Sequence, residues 1–195
     1  MSSTTRSNLD EKSQKTIADY VGDMVALEGH IEAALDRQLS MGDDAAFSSI
    51  VKRYHDTVRD SRNKAKAYQE TVGSTAGNPL IEKGADILGV FAGIIDKIRA
   101  EGLSKNLRDN YTAFNLAAIS YTMLHTTSMA LGDTQTEQFA ADGLRTYARL
   151  VQDVNQHIST IVVDELKKDG HTVVDSATAE QCRQAIDRIW KETSS

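Results

Sequence analysis

The stretch Tyr111–Leu131, YTAFNLAAISYTMLHTTSMAL, contains no Asp, Glu, Lys or Arg. A helix with no charged face has no side built for water and is ordinarily buried all round. The expectation is the central helix of an α-helical bundle, covered on every side. At about 20 residues the stretch is also long enough to cross a bilayer. Asn115, Ser120, His125, Ser128 and four Thr make insertion unfavourable, so no membrane span is expected.

The flanking sequence reads as helix throughout. Ahead of the central stretch, Ser7-x-x-Asp10 resembles a capping box. A first helix then runs to about Leu39, with Ile17, Val21, Met24, Leu27, Ile31 and Leu35 on one stripe. Gly42 stops it and Asp43 is the next expected N-cap. A second helix, 44–72, carries Phe47, Val51, Tyr54, Val58, Ser61 and Ala65 inward. Its basic outer face, Lys52 to Lys66, is expected to be solvated. After the loop 73–78, Asn78-Pro79 starts a short Gly-rich helix, 79–101. Gly84, Gly89 and Gly93 there permit close approach of another backbone, either within the chain or across a dimer contact that would include Phe91.

Gly102 ends that helix and Ser104 is the expected cap of the central one. Past Leu131, Gly132 closes the central helix, and Thr134-x-x-Glu137 reads as the capping box of a helix reaching Lys168. Val162 and Leu166 are expected inward on it. Gly170 stops that helix. A last amphipathic helix, within 176–193, shows Cys182, Ile186, Ile189 and Trp190 on one side. Trp190 is expected to anchor it on the bundle, a partner subunit being the other reading. The result is one all-α domain over 1–195, with a frayed 1–8, a bundle over 9–169 and a C-terminal docking helix.

Composition narrows function. With 22 Lys and Arg against 28 Asp and Glu, the formal charge is −6. An acidic surface repels phosphate backbones, so no nucleic acid is expected as a partner. The single Cys excludes an internal disulfide and fits a reducing compartment. The first residues lack the apolar core of a secretory signal, and a cytoplasmic location is expected.

Four long helices with a short Gly-rich helix before the third suggest a ferritin-like four-helix bundle. The segments IEKGADILGVFAGIIDKIRAEGL and NYTAFNLAAISYTMLHTTSMALGD resemble the YciE/YciF-type ferritin-like stress proteins of bacteria, as does DYVGDMVALEGHIEAAL in the first helix. The resemblance implies a four-helix bundle, a dimer and a possible dinuclear metal site. Glu28 matches the family's first-helix carboxylate. Thr112 and Asn115 stand where the third helix should offer carboxylates, and Asp56, Asp60 and Asp153 are what the second and fourth helices offer.

A ferritin-type di-iron site needs Glu-x-x-His on two helices. Three residues before His30, His55, His125, His157 and His171 stand Leu27, Lys52, Thr122, Val154 and Lys168. None is acidic, so no metal and no cofactor is expected; were a metal bound, Glu28, Asp56, Asp60, His125 and Asp153 would be the candidates. Glu28 is expected at the edge of its stripe, reaching solvent or an Arg. The alternatives are a residual ligand or a buried polar network. Asp153 and His157 read as a surface pair, and His125 as a core histidine bonded to a hydroxyl. Nucleophile elbows, Walker loops, dinucleotide fingerprints and C-x-x-C pairs are absent.

The expected function is therefore non-enzymatic: a stress-associated bundle acting by self-assembly, as a dimer or larger homo-oligomer, or through a protein partner. The alternative is a divergent di-metal protein binding or oxidising iron. A third reading is a small-ligand binder using the Tyr- and Thr-lined interior.

Overall fold

The computed structural model describes residues 9–40, 44–73 and 102–193. They form five α-helices: α1 (Glu11–Ser40), α2 (Ala45–Thr71), α3 (Leu103–Leu131), α4 (Thr134–Lys168) and α5 (Thr178–Thr193). The Gly-rich segment with Gly84, Gly89, Phe91 and Gly93 lies outside the described residues.

The helix ends follow local chemistry, with small shifts. Asp44, not Asp43, caps α2, accepting the Phe47 N–H at 3.0 Å. Asp133, not Thr134, caps α4: its carboxylate takes the Thr136 N–H at 3.0 Å and the Thr136 hydroxyl at 2.6 Å. Asp133 takes the cap ahead of Thr134 because its carboxylate reaches both donors of Thr136. Ser104 is not a cap. It lies in the first turn of α3, and its N–H donates to Glu165 Oε1 of α4 at 3.0 Å. A carboxylate from another helix thus satisfies a donor at the positive end of the α3 dipole. Gly132, at φ 75°, ends α3 in the left-handed conformation that glycine adopts without strain.

Polar contacts fix the directions of the helices. The Gln38 and Asn110 side chains exchange two hydrogen bonds at 2.8 and 2.9 Å, joining the end of α1 to the start of α3. Lys168 pairs with Asp44, joining the end of α4 to the start of α2. At the opposite end, Tyr68 of α2 bonds Thr136 of α4 at 2.8 Å. So α1 and α4 run one way, and α2 and α3 the other. Gly73 and Gly102 therefore lie at opposite ends of the bundle, and α2 and α3 run parallel. α1 packs on α2 and α3, α4 packs on α3, and α2 and α4 touch only sparsely.

One continuous core lies between the four long helices, including Val21, Leu35, Val51, Val58, Phe114 and Leu124. Aromatic rings fill its middle. Tyr54 meets Phe114 edge-on at 5.3 Å, and Tyr121 stacks on Tyr147 at 5.8 Å. Gly143 makes that stack possible, because a Cβ there would stand 2.3 Å from the Tyr121 ring.

The central helix is not covered on all sides. Its inner face, with Phe114, Ala117, Tyr121 and Leu124, is buried, but Ile119, Met123 and Met129 are 54%, 48% and 58% exposed. The outer positions Thr112, Asn115, Thr126 and Ala130 are exposed too, and no charge interrupts them. Absence of charge removed the usual sign of a solvent face without supplying a covering element. Val162 and Leu166 of α4, expected inward, are likewise exposed. The fifth helix touches α4 and buries none of its residues, and Trp190 remains 53% exposed. Trp190 flanks an open groove of about 700 Å³ between α3, α4 and α5, lined also by Tyr111, Asn115, Ala118, Val151 and Asn155.

Candidate functional site

The four long helices converge on Glu28. It is fully buried, which corrects the expectation of a carboxylate at the stripe's edge. Residues 24, 27, 28 and 31 share one side of a 3.6-residue turn, so a carboxylate at 28 points between its apolar neighbours. Partners from three other elements then make burial tolerable. Ser61 of α2 donates to Oε1 at 2.7 Å, and Tyr121 of α3 donates to the same oxygen at 2.8 Å. Tyr147 of α4 faces the carboxyl from the remaining side. Glu28 Oε2 and the Tyr147 hydroxyl close no hydrogen bond among the described residues.

Burial pushes the Glu28 carboxyl up to about 7, against the lowering pull of the Ser61, Tyr121 and Tyr147 hydroxyls and the Arg62 charge. Desolvation wins because no cation touches the carboxyl. Arg62 is held instead by Glu32 at 2.7 Å, lying across Gly29, where a Cβ would stand 2.9 Å from its guanidinium. A protonated Glu28 gains a donor at Oε2, facing the unpaired Tyr147 oxygen, and so reduces the number of stranded polar atoms. The Tyr121 and Tyr147 phenols are raised by burial and then by Glu28, and so stay neutral.

This donor set does not fit the dinuclear metal site that the family resemblance implies. One carboxyl, two neutral phenols and a hydroxyl cannot offset the charge of two cations in a buried bundle. The other candidates are elsewhere. Asp56 sits on the surface of α2, bonded to Lys52 at 2.9 Å and Arg59 at 3.2 Å. Asp60 is exposed beside it, 4.0 Å from Arg59. Asp153 pairs with Arg53 at 3.0 Å and lies 3.5 Å from His157. His125 is half-buried on α3. Among the described residues no three His, Cys, Asp or Glu side chains gather closely enough to hold a metal ion. No local pattern pairs Ser61 or Tyr147 with Glu28, although a small hydroxyl between Val58 and Ala65 on the inward stripe is a signal for Ser61.

No family model matches the chain, and no curated protein does. The fold is similar to that of a crystal structure of a protein from Xanthomonas campestris pv. campestris, with a TM-score of 0.63 and 14% identity, covering 81% of this chain and 99% of that one. At that identity the likeness speaks for the helical fold alone. Among the described residues no helix is long and apolar enough to cross a membrane.

Proposed function

We propose that this chain is a ferritin-like bundle without a metal centre, acting non-enzymatically by assembling with further copies of itself. The stress association follows from the family resemblance. Two antiparallel helix pairs, with α2 and α3 parallel, fit the ferritin arrangement, which supports the first part. The second part is carried by one observation, the charge-free outer face of α3 with Ile119, Met123 and Met129 exposed on it.

The occupant best suited to that face is a second copy. A two-fold axis brings identical residues together, and a face without charge meets its own image without repulsion. From Thr112 to Ala130 the face is about 27 Å long, and α3 with α4 is roughly 20 Å wide. The neighbouring groove and the exposed Ile189 and Trp190 of α5 extend it toward the ~800 Å² per partner of a stable complex. The test is size-exclusion chromatography with light scattering. The parent protein should run as a dimer or larger, and Met123→Glu should run smaller while keeping its helical spectrum. A monomeric parent at about 100 μM would end the assembly reading.

A further inference from the structure

On the other side of the bundle, α2 and α4 stand apart and leave a polar cleft. Two adjoining grooves of about 570 and 370 Å³ share Thr57, Thr146 and Arg149. Each is within or near the size range of small-molecule sites, roughly 300–1,000 Å³. The larger has Tyr121 and Phe139 in its wall, two rings whose centroids lie 5.9 Å apart. The smaller has Tyr54 in its wall. Tyr54 is 1% exposed, and its hydroxyl finds no hydrogen-bond partner among the described residues. That hydroxyl has no open surface, and the Asp153 carboxylate beside it raises the phenol further after burial.

The charges around the cleft are not balanced pairwise. Arg53 is held by Asp153 at 3.0 Å, and Arg145 is bonded to Asp142. Asp60 also stands at the rim, 4.0 Å from Arg59. Lys64 and Arg149 line the larger groove and pair with no acid among the described residues. Arg149 is the one cation common to both grooves, flanked there by the Thr57 and Thr146 side chains. The Thr57 and Thr146 hydroxyls already donate to the Arg53 and Asp142 carbonyls at 2.8 and 3.0 Å, so the planar guanidinium is the donor left for a carboxylate, which it can grip through two parallel hydrogen bonds. The Tyr121 and Phe139 rings suit a flat apolar body next to that carboxylate.

We infer that the α2–α4 cleft binds a small aromatic carboxylate, with Arg149 gripping the carboxylate and the ring lying toward Tyr121 and Phe139. This inference is independent of the assembly face, which lies on the outer side of α3.

Benzoate is the probe, titrated into the full-length protein and followed by calorimetry and by amide NMR shifts. Saturable binding is expected, with shifts concentrated around 57, 146 and 149. Arg149→Gln should weaken it at least tenfold, while Arg145→Gln, whose side chain is already paired, should change it less than twofold. Arg149→Lys, which keeps the charge and loses the fork, should fall between. Acetate and benzyl alcohol, each carrying half of the probe's chemistry, should both bind at least tenfold more weakly. Thermal melts of each variant separate lost binding from lost fold. Absence of saturation by about 10 mM benzoate, an Arg149→Gln variant that binds as the parent does, or acetate binding equally well would each overturn the proposal.

Discussion

The two faces of α3 carry the same kind of sequence and meet opposite fates. Inside, Phe114, Ala117, Tyr121 and Leu124 disappear into the core; outside, Ile119, Met123 and Met129 stand at about half exposure. Neither face has a charge from Tyr111 to Leu131. The difference lies in what packs against them. α1 and α4 cover the inner face, and nothing among the described residues covers the outer one. A charge-free helix therefore marks a surface unsuited to water, without saying whether its own chain or another chain covers it.

The same substitution on the two faces tests this contrast most severely. Ala117→Asp puts an unpaired carboxylate at a fully buried position. It should cost about 3–5 kcal/mol in denaturant unfolding. Ile119→Asp should leave the stability of an isolated subunit within about 0.5 kcal/mol and act on assembly instead. Equal losses at both sites, with no change in oligomeric state, would mean that the outer face is covered within the subunit.

The buried carboxyl gives the next largest effect. Burial holds the Glu28 carboxyl up at about 7 in the folded chain, against an ordinary value of 4.5. Folding therefore favours its protonated form. That contribution is fully present below pH 4.5 and is lost as pH rises through 7, the reverse of an ion-paired carboxylate. Relative to Glu28→Gln, the parent should lose about 2–3 kcal/mol of stability between pH 5 and pH 8. Parallel pH profiles of parent and variant would place Glu28 in contact with water or a cation.

Opposite the inner face of α3, Gly143 of α4 leaves room for the Tyr121 ring. Gly143→Ala sets a methyl 2.3 Å from the Tyr121 ring, and the ring cannot retreat without leaving Glu28. A loss of about 1–3 kcal/mol is expected, with a changed near-ultraviolet tyrosine signal. An unchanged melting temperature would mean that the ring is free to move. The smallest expected effect is that of iron. Protein reconstituted with ferrous iron and desalted should retain well under one equivalent per chain, because the donor set around Glu28 offers one carboxyl. Stoichiometric retention that is lost in Glu28→Ala would overturn the metal-free reading.

The sequence by itself determined the all-helical class, both ends of α2, α3, α4 and α5 to within about two residues, and the glycine stops at Gly132 and Gly170. Those features depend on side chains within one or two turns of the backbone that they act on. It also determined that no Glu-x-x-His pair exists, which is a matter of spacing alone. Tertiary structure decided the rest. Glu28 is tolerable in the core because Ser61 and Tyr121, which are 33 and 93 residues away, reach the same oxygen. Ser104 is in the first turn rather than at the cap because Glu165 arrives from another helix. Among the described residues nothing covers the outer face of α3, because α1 and α4 both pack on its other side. A residue's own sequence neighbourhood sets its conformation, but the solvation of a charge or an apolar face depends on atoms brought by distant segments, and no local pattern records them.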